Sequence, residues 1–252
     1  MRKHLIWVLG LMGLAVALIG ATIAQGVANT QTITGSVAPK KLPKSGAKAP
    51  VSVNIDVAST NSGNANNIPN ATTLALVDFD KDMKFQQKGL PTCDPTQFTA
   101  ATTTQQATTA CSDSLVGNGS SKIQVPSTTG GPPINIAATV TAFNGKHNSL
   151  VLFTYNSLSG AQTLVGQLGK DPSAGGAYGT TLTTPVPKLA GGSAVIQEFQ
   201  TKVKKVYHHG GKKLSLASSS CKDKKIKFQA RFTDDQGNTA VAKSTQKCKQ
   251  KG

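Results

Sequence analysis

The chain has 252 residues, with 27 Lys+Arg against 11 Asp+Glu, a formal net charge of +16, 25 Gly, 12 Pro, four Cys and one Trp. Glu198 is the only glutamate, whereas an ordinary helical domain draws on Glu, Leu, Lys and Ala for its exposed faces. A helix bundle is disfavoured on that ground, and the composition excludes collagen, a coiled coil and a multi-span membrane protein.

Arg2, Lys3 and His4 precede an uncharged run from Leu5 to Ala24, and small residues follow it. That order is the pattern of a secretory signal, with cleavage after Ala24 or Ala28. About twenty apolar residues can also span a bilayer. Residues 1–28 are therefore a signal peptide or an uncleaved anchor, and membrane contact is expected only through residues 5–24, if the segment stays uncut. Either reading exports the body to the cell envelope or beyond. Loss of 1–28 removes Arg2 and Lys3 and no acid, which leaves +14. The remaining charge is uneven. Residues 29–198 hold 11 lysines against eight acids, and residues 199–252 hold 13 lysines and Arg231 against three.

Residues 29–50 carry Pro, Lys and small side chains with few apolar groups, and are expected to form a flexible lead-in. A main β-sandwich domain is expected over 51–194, starting with the alternation Val51, Val53, Ile55, Val57. The run 72–80 is more apolar. Residues 95–111 lack alternation and contain Ala and Gln, which predicts a short helical insert despite the poor helix propensity of Thr. Ile134, Ile136, Ala138 and Val140 share a face. Asn144-Gly145 then signals a hairpin into Leu150–Tyr155, a run apolar on both faces and so a central strand. Residues 169–180 read as a Gly-rich surface loop.

A basic β-sheet region packed on the main domain is expected over 195–252. Val195, Phe199, Val203 and Tyr207 alternate, and Gly210-Gly211 turns the chain. Phe228, Ala230 and Phe232 face one way while Lys227, Gln229 and Arg231 face the other, as in a half-buried antiparallel strand. Eight to eleven strands in all suggest an antiparallel β-sandwich, one large or two small.

Four cysteines in an exported chain argue for two disulfides. Three pairings exist in principle; chain order favours Cys93–Cys111 and Cys221–Cys248. Strands at 225–233 and 239–245 around Asp235-Gln236-Gly237 would set Phe232 opposite Thr239. They would also bring Cys221 and Cys248 nearly opposite at the open end.

Candidate chemistry is sparse. Asp78, Asp80 and Asp82 would share a strand face, but Met83 and Gly89 stand where a calcium loop needs Gly and a bidentate acid. His208 and His209 are neighbours and point to opposite faces of a strand. G-x-S-x-G and H-E-x-x-H are missing. A single Glu excludes a glutamate pair for glycoside hydrolysis, though not an aspartate pair. The sequence implies no cofactor. The distinctive feature is basic: Lys202, Lys204, Lys205, Lys212, Lys213, Lys222, Lys224, Lys225 and Lys227 lie within 26 residues. The Gly-Gly turn is expected to return Lys212 and Lys213 to the neighbourhood of Lys204 and Lys205. Such a patch attracts polyanions; the same charge also keeps an exported protein soluble.

Asp78-Phe79-Asp80-Lys81, Lys88 to Cys93, Cys111, Val116-Gly117-Asn118-Gly119, Cys221, Phe228-x-Ala230-x-Phe232 and Cys248 occur here in that order. The arrangement resembles a set of uncharacterised secreted, disulfide-containing β-rich proteins of high-GC Gram-positive bacteria. The resemblance implies export, β-structure and the two bridges, and it transfers no catalytic residue. The expectation is an exported, non-catalytic structural or binding module. The alternatives are a lysine-patch binder of anionic polymers (envelope polymers, anionic lipid heads or nucleic acid) and a secreted hydrolase that uses aspartates.

Overall fold

The computed structural model describes residues 28–44 and 46–251. Leu5–Ala24, and with it the choice between signal and anchor, lies outside the described residues. In chain order, β1 (Thr30–Ala38), β2 (Lys41–Pro43) and β3 (Ala49–Pro50) lead into β4 (Ser52–Thr60), β5 (Thr72–Asp80) and β6 (Met83–Phe85). A helical insert with α1 (Thr104–Ala110) follows, then β7 (Leu115–Val125), β8 (Ile134–Asn144), β9 (Ser149–Asn156), β10 (Gly160–Gly169) and β11 (Tyr178–Pro185). The chain ends with β12 (Val195–Val203), β13 (Val206–His209), β14 (Lys212–Ser215), β15 (Ala217–Ser219), β16 (Lys225–Asp234), β17 (Thr239–Lys247) and β18 (Lys249–Lys251).

Eleven strands form one sheet in the order β1-β4-β12-β7-β8-β9-β10-β11-β5-β16-β17, antiparallel throughout. The all-β antiparallel architecture and the short helical insert are both present. The two layers expected of a sandwich are two halves of this one sheet, which curls until its ends nearly close. At the seam, side chains of β17 serve the free edge of β1. Gly35 N–H donates to Ser244 Oγ at 2.9 Å. Val37 N–H donates to Gln246 Oε1 at 2.7 Å, and Gln246 Nε2 donates back to the Val37 carbonyl at 3.0 Å. The Gln246 amide thus takes the place of a ladder rung. Gly35 makes the approach feasible, because a Cβ there would lie 2.1 Å from Cγ of Phe228 on β16.

One end of the curled sheet is floored by the small sheet β3-β15-β6 and the parallel pair β18-β2. Leu42 and Leu216 are fully buried in the core that reaches this floor. The Cys221–Cys248 bridge joins the start of the β16–β17 hairpin to its end, with Cα atoms 6.1 Å apart. The Cys93–Cys111 bridge, at 5.6 Å, ties the helical insert to the loop before it. Thr103 caps α1 by accepting from Gln106 N–H at 3.2 Å. The insert explains why Leu150–Tyr155 is apolar on both faces. Leu150 and Leu152 face the interior. Val151 and Phe153 face outward beneath Phe98, whose ring lies 5.2 Å from that of Phe153.

Three expectations need correction. The flexible lead-in is instead ordered over most of its length. β1 pairs with β4 along nine residues, from Thr30↔Thr60 to Ala38↔Ser52. An edge strand gains its order from ladder bonds plus a few inward groups, here Ile33 and Val37, so a low apolar count did not preclude it. The basic region 195–252 is not a separate sheet packed on the rest: β12 lies between β4 and β7, and β16 between β5 and β17. The last hairpin is one residue out of the expected register. Phe232 faces Ala240, and Thr233 faces Thr239, because the loop runs from Asp234 to Asn238. Asp234 N–H donates to the Asn238 carbonyl at 3.0 Å, and the Asp234 side chain accepts from the N–H groups of Gln236 and Asn238.

Candidate functional site

Closure of the sheet leaves its interior incompletely filled. A cavity of about 110 Å³ lies between the layers. Seven strands wall it: β4 (Ile55, Val57), β5 (Ala75, Val77), β9 (Leu152), β10 (Leu164), β11 (Leu182), β12 (Phe199) and β16 (Phe232). Each contributes through the period-two alternation that sends every second side chain inward. None of the lining residues is ionisable. An apolar cavity of about 150 Å³ stays dry and accepts benzene; this one belongs to the same class.

Ser59, Thr72, Thr184, Gln197 and Thr201 interrupt the apolar wall, and the two on β12 differ from the rest. Gln197 Oε1 and Thr201 Oγ1 are buried and have no hydrogen-bond partner. Leaving a buried polar atom unsatisfied costs about 1–3 kcal/mol, so the sequence sacrifices stability at these positions. Local geometry adds to the effect. On the β7 side, Ile196 pairs with Ile123 and Glu198 with Lys122, which leaves Gln197 as the extra residue of a bulge. Bulges re-aim side chains, and here two successive residues, Ile196 and Gln197, both line the cavity. At about 3.3 Å per residue, Gln197 and Thr201 have Cα atoms about 13 Å apart, too far for one water to serve both.

Gln197 stands at the end away from the floor. A second hollow of about 240 Å³ opens there, lined by the 186–196 loop, Ala71–Thr73, Lys188 and Asp235. It shares Thr72, Val186 and Ile196 with the inner cavity. Ile196 belongs to both hollows and forms the rim between the vestibule and the apolar interior; Gln197, next to it on β12, lines the inner one.

The residues singled out from sequence lie elsewhere. Asp78 is fully buried and saturated. It takes a fork from Arg231, Nε to Oδ2 and Nη2 to Oδ1, both at 2.8 Å, and bonds from Thr181 and Gln229. Those bonds raise the Arg231 pKa, and Arg231 also reaches Asp171 at 2.7 Å. Asp80 accepts from the N–H groups of Asp82 and Lys227; burial pushes its carboxyl above the ordinary value, against the pull of those two bonds. Asp82 accepts from Lys222 N–H at 2.7 Å. The three aspartates tie β5 and its turn to β16 and the approach to it. No group of three or more His, Cys, Asp or Glu among the described residues is placed to hold a metal ion. His208 and His209 face Lys213 and Lys212 across the β13–β14 hairpin.

That pairing also corrects the expected lysine geometry. Lys212 and Lys213 lie opposite the histidines, and Ser215 returns to Val206, so the turn carries the two lysines away from Lys204 and Lys205. Lys202, Lys204, Lys212, Lys213, Lys222, Lys224 and Lys225 are exposed, and Lys205 and Lys227 are half-buried. Lys227 pairs with Asp223 at 2.7 Å. The sequence reading missed a different juxtaposition: Lys225 lies directly opposite Lys247, and Lys249 opposite Lys41. Like charges directly opposite destabilise a strand pair. Hairpin register alone, taken one residue over, would have found the first pair.

No family model, curated protein or solved structure matches the chain.

Proposed function

We propose that this is an exported, non-catalytic binding protein that takes a small apolar molecule, or the apolar end of a larger one, into the curled sheet. The observation that carries the reading is the 110 Å³ apolar cavity with a vestibule at one end. An empty cavity of this volume costs about 2.6 kcal/mol at roughly 24 cal/mol per Å³, and one larger inward side chain could fill it. Pockets with apolar walls and a few convergent polar groups are the usual form of a small-molecule site. Export is supported by the two disulfides; among the described residues no helix is long and apolar enough to cross a membrane. The test is an NMR titration of the purified protein with hexane, following the methyl signals of Leu152 and Leu164. Saturable shifts confined to the cavity are expected. Absence of any shift up to the solubility limit overturns the reading.

A second reading rests on the opposed lysines. We propose it as a surface property: Lys225, Lys247, Lys249 and Lys41 would favour an anionic polymer by relieving their mutual repulsion. Retention on heparin should then collapse between low and moderate salt, and Lys225→Glu with Lys247→Glu should abolish it. Retention unaffected by the double change sinks this reading.

A further inference from the structure

The cavity wall is apolar at every position except a few, and the exceptions are not random. Gln197 lines the cavity in a bulge, next to the rim residue Ile196 that the vestibule shares, and its amide oxygen is buried and unpartnered. An amide offers both a donor and an acceptor, and so does a hydroxyl group. A ligand hydroxyl at the rim would pair with the Gln197 amide while its apolar body fills the interior. An ionised head is disfavoured at this depth, because no lining residue carries a charge to compensate it. The charges of the vestibule, Lys188 and Asp235, oppose each other.

Resting on the binding reading above, we propose that the site selects an uncharged apolar alcohol, its hydroxyl held by Gln197 next to the rim and its chain directed toward the floor. From water into a purely apolar cavity, an alkane binds better than the alcohol of equal length, since the hydroxyl loses its water partners. Gln197 reverses that order. Thr201, about 13 Å deeper along β12, is the alternative anchor if the ligand enters hydroxyl first.

The experiment titrates hexane, hexan-1-ol and hexanoate at neutral pH into the wild type, Gln197→Leu and Thr201→Val, with the cavity methyl signals as readout. Gln197→Met repeats the first substitution with an unbranched side chain, in case the leucine is not accommodated. Hexan-1-ol is expected to bind the wild type at least as tightly as hexane. Gln197→Leu and Gln197→Met should weaken hexan-1-ol about tenfold, the loss of one hydrogen bond, and leave hexane within about twofold. Thr201→Val should change neither. Three results overturn the inference while leaving apolar binding intact: no dependence of hexan-1-ol on Gln197, transfer of the effect to Thr201→Val, or hexanoate binding more tightly than hexan-1-ol. Failure of all three ligands overturns the binding reading itself.

Discussion

Ala75→Leu tests whether the space inside the sheet is a true void. Ala75 is the small residue among the inward positions of β5, flanked in phase by Val77 and Phe79, and it lines the cavity. Leucine adds three carbons. At about 0.8 kcal/mol per buried methylene, their burial contributes about 2.4 kcal/mol. The independent estimate from cavity volume, about 110 Å³ at roughly 24 cal/mol per Å³, is about 2.6 kcal/mol. The two agree, so the substitution should stabilise the protein by about 2 kcal/mol and abolish hexane binding. For a domain of this size that is a rise in Tm of about 4–8 °C. The assay is urea unfolding with the disulfides intact, read as a higher midpoint at unchanged slope, beside the NMR titration. A packed interior would give the opposite sign, because an extra side chain in a filled core costs about 1–3 kcal/mol. A destabilised Ala75→Leu protein that still binds hexane would refute the cavity argument.

Gln246→Ala removes both bonds to Val37 and leaves a buried strand edge unserved. A loss of about 1–3 kcal/mol is expected, with hydrogen exchange at the Val37 amide rising before that of β7–β9; uniform exchange would show that the seam adds no local stability. Arg231→Leu strips the fork from the fully buried Asp78, and breaking a buried pair from one side costs about 3–5 kcal/mol. An unfolding midpoint within error of wild type contradicts that account. In acid, Asp171 is the informative group: hydrogen bonds from Arg231 and Ser173 lower its pKa from 3.8 to about 2. A folded-state pKa below the unfolded one means stability present above pH 3.8 and lost as pH falls toward 2. Asp171→Asn should flatten the urea midpoint over that window. Asp80, raised by burial, has the opposite sign and an earlier window: it adds stability as pH falls from its raised pKa toward 3.8, so Asp80→Asn should remove a rise in the urea midpoint just above pH 3.8 and leave the loss below it unchanged.

The legible parts of the fold were those with local signals. Leu150–Tyr155 announced a strand covered on both faces, and α1 with the Cys93–Cys111 bridge supplies the second cover. Alternation at 51–57 and 226–232 marked strands that the structure contains. Chain order paired the cysteines as found. The illegible parts depend on closure. β1 looked too polar to order because its stabilisation comes from β4 and from two side chains about two hundred residues later, Ser244 and Gln246. The one-residue slip in the last hairpin hid those two. A shift of one residue exchanges the faces of a strand, and only the observed register turns Ala240, Ala242, Ser244 and Gln246 toward β1.

The cavity left one faint trace in sequence. Val195, Phe199 and Val203 show an apolar repeat, and Gln197 and Thr201 fall in the same phase between Val195 and Val203. On a strand that phase is the inward one, and Gln197 Oε1 and Thr201 Oγ1 are buried there without a partner, as are four side-chain atoms away from the cavity. What the sequence could not supply is the void itself. It is made by seven strands drawn from Val53 to Phe232, each ordinary in its own pattern. Ala75 on β5 is the one alanine of the lining; Gly166 on β10 lies outside it. Gly166 is held small by its neighbours, since a Cβ there would lie 2.6 Å from Thr184 Oγ1. Ala75 has no positive φ to favour a small residue. A stabilised Ala75→Leu protein would show that folding does not require alanine there, which is the outcome expected if the space serves a ligand.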